Sequence, residues 1–166
     1  MAAHDDEVTG GAEVTLSGGC HCGALRFRIA VELSEEGGVP AAECNCTMCS
    51  KKGFLHIIVP DAVMHREEEE GALGTYTFNT HTAKHHFCTR CGTCPYYVPR
   101  SNPDGWSVNA RCLDLFTTGI DFSKLTITRI DGQNWESAVG DSLAHLSRVP
   151  AAASSSSTSA VMDDSA

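Results

Sequence analysis

The sequence has no apolar stretch long enough for a signal peptide or a membrane span, neither in its acid-rich start, Met1 to Gly11, nor later. We therefore expect a protein of a reducing compartment, the cytoplasm or the nucleus. A basic stripe is also missing: 12 Lys and Arg against 21 Asp and Glu give a formal net charge of −9. Non-specific nucleic-acid binding needs clustered cations to displace phosphate counterions, so that class of partner is excluded. The longest charge run, Glu67 to Glu70, is acidic and reads as a solvated turn between two strands. Internal repeats are lacking apart from paired cysteines, and helical patterning is scarce.

What is present suits one globular domain. The 166 residues, 42% hydrophobic and 20% charged, are enough for a real core. Residues 1–13 and the Ala/Ser-rich residues 149–166 carry little to bury and are expected to be disordered tails around a folded domain at 14–148. Within it Leu25, Phe27, Ile29, Val31 and Leu33 alternate with Arg26, Arg28, Ala30 and Glu32, the period of a strand covered on one face. Further β-rich runs cover 54–59, 75–79, 84–87, 95–98, 106–110 and 125–130, with Gly, Pro, Asn or Asp near most breaks. One short C-terminal helix is expected from about Asn134 to Leu146, with Asn134 as its N-cap. The fold class is mainly β.

Nine cysteines without a secretory signal point to metal binding rather than disulfides, and the odd number agrees with that. Seven fall into three groups: Cys20-His-Cys22, Cys44-Asn-Cys46-Thr-Met-Cys49 and Cys88-Thr-Arg-Cys91. A C-x-C or C-x-x-C turn aims two thiolates at one point, so Cys20, Cys22, Cys88 and Cys91 can close a tetrahedral zinc site that staples the start of the domain to its middle. Cys44, Cys46 and Cys49 can hold a second zinc with one position open. His56 is the nearest histidine, but its strand-like apolar run favours a packed side chain over a fourth ligand. Three thiolates on Zn²⁺ leave a net charge near −1, poor for activating water but suited to an exchangeable thiolate. Other partitions exist. Cys88, Cys91 and Cys94 before Pro95 echo part of an iron-sulfur run whose last cysteine is missing, and a redox C-x-x-C would want a βαβ context absent here. Cys94 and Cys112 read as small buried residues.

Taken together, Gly19-Cys20-His21-Cys22-Gly23, the Cys44 to Cys49 motif, Tyr76-Thr-Phe-Asn-Thr-His81 and His86-Phe-Cys-Thr-Arg-Cys-Gly92 resemble the glutathione-dependent formaldehyde-activating enzyme family, in the branch that includes centromere protein V. The likeness spans about Leu16 to Ala138, including Pro99-Arg-Ser-Asn-Pro103 and Arg111-Cys-Leu-Asp114. It implies a β-tent fold of small antiparallel sheets pinned by a structural zinc on Cys20, Cys22, Cys88 and Cys91, with a catalytic zinc on Cys44, Cys46 and Cys49. The implied reaction joins glutathione and formaldehyde into S-(hydroxymethyl)glutathione or cleaves it, the work of a carbon-sulfur lyase. The centromere branch also admits a non-enzymatic zinc interaction module. Glutathione carries two carboxylates, so Lys51, Lys52 and Arg100 are candidate contacts for them, and Asn109 and Arg111 are weaker candidates for the cleft.

Overall fold

A computed structural model describes residues 12–114, 121–139 and 142–148. Ten strands dominate it: β1 (Glu13–Gly19), β2 (Leu25–Glu32), β3 (Val39–Cys44), β4 (Leu55–Pro60), β5 (Met64–Glu68), β6 (Leu73–Tyr76), β7 (Lys84–Cys88), β8 (Tyr96–Val98), β9 (Gly105–Asn109) and β10 (Leu125–Ile130). Two short helices accompany them, α1 (Thr47–Lys52) and α2 (Trp135–Ala138). Glu13, placed above in the N-terminal tail, opens β1; residues 1–11 and 149–166 lie outside the described residues.

The strands form a three-stranded sheet, β1-β2-β5, and a seven-stranded sheet, β10-β3-β4-β9-β8-β7-β6. Among the described residues every strand pairing is antiparallel except β10 with β3, where Leu125 lies beside Val39 and Ile130 beside Cys44. The alternation in β2 is realised: Leu25, Phe27 and Ile29 are buried while Arg28 and Glu32 face solvent. Their faces meet Ile57, Val59, Tyr96 and Val108 from the larger sheet, and this layer is the main core. Each such aliphatic side chain, when fully buried, contributes about 1.5–3 kcal/mol.

Central strands depart from simple alternation. β9 is buried at all five positions, because both faces of the larger sheet are covered around it. Its Trp106 and Val108 join the main core, while Ser107 and Asn109 lie on the opposite face with His56 and Tyr97. β4 divides in the same way: Leu55, Ile57 and Val59 go to the core, and His56 and Ile58 to a cavity on the other side. The pleat thus delivers side chains to two layers at once.

The continuous helix expected at 134–146 does not form. Only Trp135–Ala138 is α-helical, and Ala144–Ser147 is a separate 3₁₀ turn. Asn134 does stand at the N-cap position of this short helix, but its side chain makes no capping bond; its amide donates instead to Asp131 Oδ2 at 2.8 Å. Gly140 and Asp141, poor helix formers, sit where the pattern would have to continue. Of the acidic run, Glu67 and Glu68 belong to β5 and only Glu69 and Glu70 enter the turn. Glu68 Oε1 accepts from Arg66 at 2.7 Å and from the Tyr96 hydroxyl at 2.8 Å, so one member of the run ties the two sheets together.

Tyr96 is fully buried and connects both sheets, which makes its two parts separable. Tyr96→Phe keeps the core filled and loses one hydrogen bond to a charged group, a loss of about 1.5–3 kcal/mol. Tyr96→Ala also leaves a void and is expected to cost more, about 3–5 kcal/mol by analogy with other buried aromatics. Denaturant midpoints of the two variants check the order.

Candidate metal centres

Two tight turns carry the first four cysteines. In one, between β1 and β2, Gly23 N–H donates to Cys20 C=O at 3.1 Å and Leu25 N–H to Cys20 Sγ at 3.3 Å. In the other, after β7, Gly92 N–H donates to Cys88 C=O at 2.8 Å and Cys88 N–H to Thr93 C=O at 2.9 Å. Gly23 and Gly92 both hold φ near +80° (83° and 74°), where a side chain would be strained, and so each turn folds back to aim its sulfurs. All four Sγ atoms lie within 4.8 Å of one another. Cys22 Sγ is 3.6 Å from both Cys20 Sγ and Cys88 Sγ. A tetrahedral ion with sulfur bonds of about 2.3 Å would set its ligands about 3.8 Å apart, so this donor set fits zinc.

Cys44, Cys46 and Cys49 also converge within 4.8 Å. They are not on a loop alone: Cys44 ends β3, Cys46 is the N-cap of α1 with its Sγ accepting from Cys49 N–H at 3.4 Å, and Cys49 lies within α1. Among the described residues no histidine or carboxylate joins this group at that span. Contacts from the Cys44 and Cys49 thiols hold the Cys46 thiol well below its ordinary range, whereas the same contacts and burial push Cys49 far up. Three touching sulfurs cannot all ionise without a cation between them, which is the electrostatic setting of a metal site. A further sign is Gly132: a Cβ there would come within 2.3 Å of Cys44 Sγ and 3.1 Å of Cys46 Cβ. The cradle closes only with glycine at that place.

The triad opens on a cavity of about 840 Å³. Its floor is aromatic. Tyr97 stacks on His85 with centroids 4.8 Å apart and His85 on Phe78 at 5.5 Å, while Phe54, outside the cavity lining, meets Tyr97 edge-on at 5.1 Å. Burial lowers the pKa of His56 and of His85 to about 4. Burial, with the nearby sulfurs, holds the Tyr97 phenol well above its usual value. His56 Nδ1 is 3.0 Å from Ser107 Oγ, while its Nε2 is buried without a protein partner. His56 therefore packs beside the triad rather than within it, as its strand position suggests.

Arg100 lines this cavity; Lys51 and Lys52 do not, lying in the last turn of α1, although the Lys52 charge is close enough to contribute to the lowered pKa of His85. Arg111 borders a second hollow of about 590 Å³ on the other side of Cys44 and Cys49, with its guanidinium 5.6 Å over Phe122. Asn109 is a buried pin: its Oδ1 accepts from Leu55 N–H at 3.2 Å and Arg111 N–H at 3.1 Å. Cys94 and Cys112 are half-buried, and neither joins a cluster; both approach backbone carbonyls, Cys94 that of Gly92 and Cys112 that of Cys94. Cys94 stays outside the four-sulfur group, which Cys20 and Cys22 complete with Cys88 and Cys91.

Fold and site together define a mainly β protein with two cysteine clusters that can hold metal ions, one closed by four sulfurs and one with three beside a cavity. The family model for glutathione-dependent formaldehyde-activating enzyme matches residues 15–123, and the chain belongs to that family. Among solved structures, a crystal structure of a Rhodobacter sphaeroides protein from a structural genomics programme is 29% identical, with a TM-score of 0.55, over 68% of this chain and 99% of that one.

Metal analysis separates the clusters. We expect about two zinc ions per chain in the native protein and about one in Cys46→Ser, following the closed-site and open-site rule. Gly132→Ala is expected to lose the same ion as Cys46→Ser, since its new methyl would displace Cys44 Sγ. Retention of both ions by either variant would contradict the assignment.

Proposed function

We propose that the protein is a zinc-dependent carbon-sulfur lyase acting on thiol-aldehyde adducts, with S-(hydroxymethyl)glutathione as the family-type substrate. The observation that carries this reading is the triad's position: three sulfurs, with no fourth ligand among the described residues, face a cavity large enough for a tripeptide-sized molecule. Bound there, zinc would supply the positive charge that keeps a substrate thiol ionised at neutral pH.

The chain's own residues do the rest. Cys44, Cys46 and Cys49 hold the reacting region against one wall, fixed by the end of β3 and the first turns of α1. Tyr97, His85 and Phe78 form the aromatic wall beside it, limiting water where carbon and sulfur must meet. The gain is chiefly one of proximity, because thiolate and aldehyde react readily once placed together. Arg100 on the wall, with the Lys52 charge on α1 near enough to act on His85, supplies positive charge toward a substrate carboxylate in a protein of net charge −9.

Exchange spectroscopy on mixtures of glutathione and formaldehyde tests the reading. Native protein is expected to speed exchange between free thiol and adduct at least about tenfold over Cys46→Ser that retains the four-cysteine ion, a loss of about 1.4 kcal/mol in barrier. Equal rates would sink the enzymatic reading and favour an interaction module.

A further inference from the structure

We propose that Arg100 and Glu136 form a subsite for the zwitterionic α-amino-acid end of the thiol substrate, the guanidinium taking the carboxylate and the Glu136 carboxylate taking the ammonium. This rests on the thiol-adduct reading above and names how the thiol is recognised.

Among the described residues that line the triad's cavity, Arg100 and Glu136 alone are Lys, Arg, Asp or Glu. They now face each other, Nη2 to Oε1 at 2.5 Å, with side chains 32% and 80% exposed. An ion pair this open contributes at most about 1 kcal/mol, so a ligand bearing one charge of each sign can replace it at small cost. An α-amino acid carries that pair of charges, and a guanidinium binds a carboxylate through two parallel hydrogen bonds. The guanidinium also lies 5.4 Å from the centre of the Trp135 ring, which restricts its orientation.

Both charges stand on fixed supports. Arg100 precedes Asn102, which is fully buried and donates to Leu143 C=O and Ser147 Oγ, each at 2.9 Å. Glu136 sits on α2, whose approach is bound to the triad itself. Asn45, between Cys44 and Cys46, donates to Asp131 Oδ1 at 2.9 Å and accepts from Gln133 N–H at 2.9 Å. Gln133 Nε2 returns a bond to Asn45 C=O at 3.1 Å. The sulfur end and the amino-acid end of the cavity are therefore held by one network. For glutathione this places the γ-glutamyl head at Arg100 and Glu136, and leaves the glycyl carboxylate without a cation on the wall.

Calorimetric titration of the full-length protein, native and Glu136→Gln, with three thiols tests this: glutathione, its glycyl monoethyl ester, and N-acetylglutathione. N-acetylation removes the ammonium and is expected to weaken binding to native protein roughly tenfold or more, the usual effect of losing a charged hydrogen bond. Glu136→Gln should bind glutathione as weakly as native protein binds the acetylated form, with acetylation causing no further loss. The ester should bind native protein as glutathione does. Equal losses on acetylation in native and variant protein, or a tenfold loss on esterification alone, would overturn the subsite while leaving thiol binding intact. Failure of all three thiols to bind native protein would instead overturn the thiol-adduct reading beneath it.

Discussion

The meeting of the Cys20-Cys22 turn with the Cys88-Cys91 turn is the contact on which the architecture depends. One turn belongs to the three-stranded sheet and the other to the end of β7 in the seven-stranded sheet, and their sulfurs come to 3.6 Å across 66 residues of chain. Bringing such distant segments together has an entropic cost that grows slowly with loop length, and a metal clip across a long loop offsets it. Ionised thiols this close repel, so the cluster is favourable only with a cation among them, and metal binding becomes part of the folding free energy. The core between the sheets then packs against a fixed corner: Leu16, Leu25 and Phe27 next to the first turn, Tyr96 next to the second.

The second cluster inherits its position from that corner by way of the pleat. Because successive side chains of a strand point to opposite faces, fixing Tyr96 and Ile57 in the core sends Tyr97 and His56 to the other side. Ser107 goes with them, where it meets His56. The same strands that stabilise the protein therefore build the cavity wall, and a one-residue slip of β8 or β4 would exchange a core tyrosine or isoleucine for a polar wall residue. Structural and chemical roles share single strands here.

Short-range patterns were readable in the sequence; long-range pairings were not. The alternation of Leu25 to Leu33 located β2, and the Leu125 to Ile130 run matched β10 in full. The close spacing of the cysteines grouped them into the same two clusters of sulfurs that the chain brings within 4.8 Å. β1, β3 and β5 escaped notice because Glu13–Gly19 ends in two glycines, Val39–Cys44 contains Pro40, and Met64–Glu68 is mostly charged. Their strand character comes from pairing with β2, β4 and β10 rather than from propensity. α1 was hidden because Cys46 acts as its N-cap, a role usually read from Ser, Thr, Asp or Asn. Trp135 read as the apolar face of a longer helix, and nothing near it in sequence indicated that it and Glu136 border a cavity 86 or more residues from Asn45 and the triad.

That distance is closed by the one parallel pairing among the described strands. Antiparallel partners joined by tight turns bring sequence neighbours together, whereas β10 lies beside β3 in the same direction, so both strands reach the cysteine end at once. Ile130 arrives opposite Cys44, Asn45 N–H donates to Ile130 C=O at 3.2 Å, and the next residues, Asp131 and Gly132, fall directly on the Cys44 to Cys46 turn. Gly132 is then forced by contact, since any side chain would occupy the space of Cys44 Sγ. The chain that follows has to leave over the open side of the triad, and it does so through α2. An antiparallel β10 would have carried that chain to the far end of β3 and left the three sulfurs without a wall on this side. The parallel edge strand is thus the feature that turns a three-cysteine turn into a cavity.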